Sequence, residues 1–164
     1  MTRALLVIDL QNGVCKSKDK EIYNYEKLIS LANERIDDYH ELDLPVIFVQ
    51  HEDEELKRGS KQWQLDPTLN SLPTDIYVGK THPNSFYKTR LEVVLNDLGV
   101  NELEICGAQT EYCIDTTIKM AHGLGYKIMM KHGASSTFDN RYLSAAATIK
   151  FFEQIWNERF LEFI

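Results

Sequence analysis

The sequence has 164 residues, of which 43% are hydrophobic and 26% charged, values that exclude a disordered chain. With 18 Lys plus Arg against 25 Asp plus Glu, the formal net charge is −7, and no basic block offers a nucleic-acid footprint. The length predicts one domain, 1–164, large enough to bury about 70% of its unfolded surface without a disulfide or metal staple. No apolar run reaches the ~20 residues of a membrane helix. Three cysteines at irregular spacing argue against a secreted disulfide framework. Met1-Thr2-Arg3-Ala4 leads into a strand-like run broken by Asp9, unlike a signal peptide. The expectation is a soluble cytoplasmic protein.

In chain order, Ala4-Leu5-Leu6-Val7-Ile8 is a continuous apolar run, the pattern of a strand covered on both faces. Leu28, Leu31, Ala32, Ile36 and Tyr39 recur at helical spacing. Pro45 to Val49 predicts a second buried strand, with Pro at its tolerated first position. Residues 51–74 carry an acidic cluster and little periodicity, the mark of a functional loop. A third strand covers 75–78, followed by a helical stripe at Leu91, Val94, Leu95 and Leu98 that Gly99 stops. A fourth strand spans 102–106, a helix follows from Cys113 to Leu124, and a fifth strand covers 126–130. A helix over 143–155 and a sixth strand near 160–163 complete the pattern. Alternating elements of this kind predict a doubly wound α/β domain: a mostly parallel six-stranded sheet with helices on both faces, a Rossmann-like three-layer sandwich.

In such a sheet, ligands bind beyond the carboxyl ends of the strands. Asp9, Gln50-His51, Lys80, Gly107 to Cys113 and His132 to Ser136 all fall at that edge. Each is unremarkable alone, because an Asp there is often a turn former and a Cys a small buried hydrophobe. Together a carboxylate, an ammonium and a thiol suggest nucleophilic catalysis. Cys113 opens a helix, whose N-terminus and a neighbouring Lys80 would favour the thiolate, with Asp9 as proton acceptor. His51 and His82 leave a Cys–His dyad open. Cys106 lies within an apolar strand and Cys15 lacks an activating partner.

Three ordered segments resemble the isochorismatase-like cysteine hydrolase superfamily, which includes nicotinamidases and N-carbamoylsarcosine amidase. They are Ala4 to Gln11, Lys80-Thr81-His82-Pro83-Asn84-Ser85-Phe86, and Gly107 to Cys113. The resemblance implies Asp9 as general base, Lys80 as charge-stabilising partner and Cys113 as nucleophile. It also implies a non-proline cis peptide at Ala108–Gln109 and an oxyanion hole from the N–H groups of Gln109 and Cys113. Gln11, Trp63, Ser85, Phe86 and Tyr112 are candidate substrate-binding residues. The nicotinamidase Asp-x-His metal motif is replaced by Gln50-His51-Glu52-Asp53-Glu54, and no histidine follows between Glu55 and Asp75. No metal or other cofactor is therefore expected. His132 stands where the family often has an acid.

The leading expectation is a cysteine-dependent hydrolase of a small-molecule amide or related C–N bond, acting through a thioester. Alternatives are isochorismatase-type hydrolysis of another bond, an idle binding or scaffold protein of the same fold, and a thiol redox pair of Cys106 with Cys113. The redox pair lacks Cys-x-x-Cys spacing. The expected partners are a small-molecule substrate and a second copy of the chain, as a dimer or tetramer. Tyr142, Phe151, Phe152, Trp156, Phe160 and Phe163 supply the aromatic surface for that interface.

Overall fold

The structure, a computed structural model, describes residues 2–164. Its first strand, β1 (Thr2–Ile8), is followed by a single helical turn, α1 (Asn12–Cys15), and a small hairpin of β2 (Lys16–Ser17) and β3 (Lys20–Glu21). Then come α2 (Tyr25–Glu41), β4 (Val46–His51), β5 (Ile76–Lys80), α3 (Leu91–Asp97) and β6 (Val100–Ala108). A π turn, Thr110–Ile114, runs directly into α4 (Asp115–Gly123). The chain ends with β7 (Lys127–Met130), β8 (Ser135–Ser136), α5 (Ala145–Trp156) and β9 (Glu162–Phe163).

The main sheet runs β5-β4-β1-β6-β7-β9, with β8 beside β6, and every pairing is parallel. It has seven strands rather than six. The extra strand, β8, and the separate β2–β3 hairpin are two-residue pieces, too short to carry any hydrophobic period. Helices surround the sheet in a three-layer α/β arrangement. Among the helices, α2 packs against β1, β4 and β6, α3 against β6, and α4 against β7.

The continuous run of β1 is buried throughout from Ala4 to Ile8, as a central strand requires. From α2 the core receives Leu28, Ile29, Ala32, Ile36 and Tyr39, with Leu31 only partly covered. Glu104, buried in β6, accepts two bonds from Arg35 of α2, at 2.5 and 3.0 Å, so its charge is matched where solvent cannot reach. Gly99 takes φ +65° after α3, the left-handed stop that its position predicts.

The aromatic C-terminus is largely satisfied within the chain. Trp156 is fully buried and donates to Asp115 at 2.8 Å, while Phe152, Phe160 and Phe163 pack against the core. Tyr142 and Phe151 stay exposed, so the sequence argument for a partner subunit rests on two rings rather than six.

Gly107 of β6 lies opposite Ile8, the last residue of β1. It has φ +139°, and a Cβ there would lie 2.0 Å from the Ile8 carbonyl oxygen. No side chain fits that gap without parting the strands. Gly107→Ala should therefore lower stability by about 3 kcal/mol or more, read as a lower denaturant midpoint; an unchanged midpoint would contradict this close approach.

Candidate functional site

The order of strands reverses between β1 and β6: successive strands lie outward from β1 on one side and outward from β6 on the other. At such a reversal the loops leaving neighbouring strands part and open a crevice. Asp9 leaves β1 in a left-handed conformation, φ +53°, and its N–H donates to Val49 O at 2.9 Å. Lys80 is the last residue of β5 itself, two strands from β1, so its long stem must cross the end of β4. Cys113 follows β6 in the π turn, one residue into the cleft beyond Tyr112.

These three side chains meet. Lys80 Nζ donates to Asp9 Oδ2 at 2.7 Å and to Cys113 Sγ at 3.3 Å. Both members of the ion pair are buried, while the cysteine stays partly open to the cleft. Burial raises the Asp9 carboxyl above its ordinary value, against the opposing pull of the Lys80 charge. Burial, followed by the Asp9 charge, pushes the Cys113 thiol up to about 12, and Lys80 only partly offsets this. Burial and the Asp9 charge thus favour the neutral thiol over the thiolate that a helix N-terminus would favour. The helix α4 itself begins two residues after Cys113, with the acidic Asp115 in its first turn.

His51 completes the cluster. Its Nδ1 lies 3.0 Å from Lys80 Nζ and its Nε2 3.3 Å from Asp53 Oδ2. Because Nδ1 is occupied by Lys80, the imidazole is not paired with the thiol, and a Cys–His dyad is absent among the described residues. His82 is elsewhere, bonded to Thr81 and edge-on to Tyr87. His132 bonds Glu153 and stacks on Phe163 at 4.0 Å.

The cleft holds about 500 Å³, ample for a small molecule. Asp9, His51, Gln109, Tyr112 and Cys113 line its floor, and the β2–β3 hairpin contributes Lys16 and Lys18 to its rim. The Ala108–Gln109 peptide is cis. Of the candidate substrate contacts, only Tyr112 faces this space. Gln11 is fully buried: its Oε1 accepts from His51 N at 2.8 Å, and its Nε2 donates to His51 O at 2.9 Å and Trp63 O at 2.7 Å. All its polar atoms are committed to holding the chain. Ser85 is buried against Thr117, Phe86 packs in the core near Tyr126, and Trp63 borders a separate pocket with Gln50 and Tyr77.

The irregular loop 52–75 folds back onto α1, with Asn12 N donating to Gln64 O and Gly13 N to Gln62 O, both at 2.9 Å. This placement makes Asp53, Glu55, Leu56 and Gln62 a wall of the cleft. No group of three or more His, Cys, Asp or Glu side chains suited to a metal ion occurs among the described residues. The Asp-x-His arrangement of nicotinamidases does not fit here, because the His51 ring is engaged on one side by Lys80 and on the other by Asp53.

Residues 3–156 match the family model described as the isochorismatase domain. The isochorismatase family protein YddQ of Bacillus subtilis is 31% identical over 142 residues, covering 84% of this chain and 79% of that protein. Nicotinamidase 3 of Arabidopsis thaliana is 28% identical over 153 residues, covering 83% of this chain and 74% of its own. A solved structure of an isochorismatase family protein superposes with a TM-score of 0.96 at 48% identity, over 99% of this chain and 97% of the other.

The electrostatics of Cys113 generate a direct expectation. Asp9→Asn removes the charge that, after burial, most raises the thiol, and Asn tolerates the left-handed backbone. Iodoacetamide should then alkylate Cys113 about tenfold faster at pH 8, the change that one pKa unit makes in thiolate fraction. An equal or slower rate would mean that the Asp9 charge does not act on the thiol.

Proposed function

The chain belongs to the isochorismatase domain family of hydrolases, and on that premise we propose that it cleaves a small-molecule amide or related C–N bond with Cys113 as nucleophile. The observation that carries this reading is the buried Asp9–Lys80 pair, at 2.7 Å, set against a partly exposed thiol 3.3 Å from Lys80. A scaffold protein has no use for two buried charges at the floor of an open cleft, since their desolvation opposes folding.

In the proposed sequence, Sγ attacks the substrate carbonyl carbon as Asp9 takes the thiol proton. The C–N bond breaks, and the nitrogen leaves with the proton returned by Asp9, giving a thioester. Water then attacks the thioester, giving a proton to Asp9, and that proton returns to sulfur as the acid departs. A carboxyl raised above its usual value suits this exchange with a thiol that is itself raised. The oxyanion would be received by the N–H groups of Gln109 and Cys113, two residues of the same cleft. The name of the Arabidopsis relative denotes amide hydrolysis, which supports the C–N choice. The other cysteines have no part in it: Cys15 is buried and held up at about 12, and Cys106 is buried within β6.

A panel of small amides, ureas and cyclic imides, scored by ammonia or acid release, tests the proposal. Cys113→Ala should abolish turnover while leaving the thermal melt in place, and Cys15→Ala and Cys106→Ala should retain most of it. Turnover in the Cys113 variant comparable to the wild type would sink the mechanism. Activity should also survive exhaustive chelation, because no step draws on a metal. Loss that a single added metal ion restores would overturn that part.

A further inference from the structure

The mechanism leaves His51 without a task, although it is the third group within hydrogen-bond reach of Lys80. An ammonium carries three N–H donors and no acceptor. The structure supplies three acceptors: Asp9 Oδ2 at 2.7 Å, His51 Nδ1 at 3.0 Å and Cys113 Sγ at 3.3 Å. We propose that His51 is a positioning residue: its Nδ1 fixes the rotation of the Lys80 ammonium so that the other two N–H groups point at Asp9 and Cys113, and Asp53 keeps that nitrogen free of a proton.

The tautomer follows from the network. Nδ1 can accept from Lys80 only if it carries no hydrogen, so the ring proton belongs on Nε2, where Asp53 Oδ2 stands 3.3 Å away. Asp53 is itself anchored, its Oδ1 accepting from Glu55 N at 2.9 Å and Leu56 N at 2.8 Å. The backbone of His51 is clamped in both directions by Gln11, and the β4–β5 register sets His51 directly beside Lys80. The charged groups facing the ring are Lys80 of β5, Asp9 after β1 and Asp53 of the following loop. Burial and the Lys80 charge hold the imidazole below its ordinary value, which keeps it a neutral acceptor near pH 7. Without that acceptor, a buried N–H would be left unsatisfied or the ammonium would swing away from sulfur.

The inference rests on the reading that Lys80 serves Cys113, so both are tested together through the rate of Cys113 alkylation by iodoacetamide at pH 9, followed by peptide mass spectrometry. Lys80→Met should slow alkylation, because it removes the charge that lowers the thiol. His51→Leu should slow it about tenfold in the same direction, the scale of one hydrogen bond to a charged group. His51→Asn, which keeps an acceptor near the Nδ1 place, should stay within about threefold of wild type. Asp53→Ala, at a half-exposed side chain, lets the ring proton move to Nδ1 and should also slow the reaction. It keeps the question answerable if His51→Leu fails to fold.

A wild-type rate in folded His51→Leu or in Asp53→Ala, with Lys80→Met slowed, overturns the role of His51 alone. Equal slowing in His51→Asn and His51→Leu overturns it too, since shape and not the acceptor would then matter. A wild-type rate in Lys80→Met instead overturns the underlying reading of Lys80.

Discussion

The buried ion pair between Asp9 and Lys80 is the constraint around which the cleft is built. Each charge is removed from water at the carboxyl edge of the sheet, with side chains at most 2% exposed. A lone charge in that position carries a large desolvation cost, which its partner 2.7 Å away offsets. Their residues lie 71 positions apart in sequence and two strands apart in the sheet. Only the parallel order β5-β4-β1 brings the ends of their strands level. A lysine is suited to the gap, because its flexible stem can pass the end of β4 and still deliver a compact charge.

Several otherwise unrelated features follow from supplying that pair with partners. The loop 52–75 replaces the helix expected between two parallel strands, yet its backbone is bonded to α1 along residues 62–64. Gln11 ties β4's last residue to that loop with three hydrogen bonds. Gly107 lets β6 approach β1 closely enough that the turn after it sets Cys113 against Lys80. These are backbone devices, and they explain why the side-chain positions at the floor of the cleft admit little freedom.

The elements that could be read from sequence were those with a strong covering on both faces. Ala4 to Ile8 and Pro45 to Val49 are unbroken apolar runs, and β1 and β4 are where those runs lie. The β2–β3 hairpin and β8 are two-residue strands set by neighbouring chain, with no period of their own. Asp9, Lys80 and Cys113 were legible because each ends or follows such a run within a recognisable segment. His51 had a usable signal, being the last residue of the second strand, but its relation to Lys80 depends on the β4–β5 register, which no single segment encodes. Gln11 and Ser85 are polar residues beside the motifs. Their polar atoms are spent on backbone and on Thr117, inside the fold.

A neutral resting thiol is consistent with the electrostatics of the whole cluster. Asp9 as a carboxylate and Lys80 as an ammonium cancel, and the protonated Cys113 adds no charge. Moving the thiol proton to Asp9 leaves a thiolate beside the ammonium and a neutral acid, so the net charge of the cluster is again zero. Burial opposes net charge far more than its redistribution over a few ångströms. Burial raises both acids, so this internal transfer is better matched than loss of the thiol proton to bulk water. On the proposed reading, the site does not store a reactive thiolate. It creates one only when a carbonyl carbon is present to take the sulfur's electrons, and Lys80 then holds the negative charge that passes from Asp9 to sulfur.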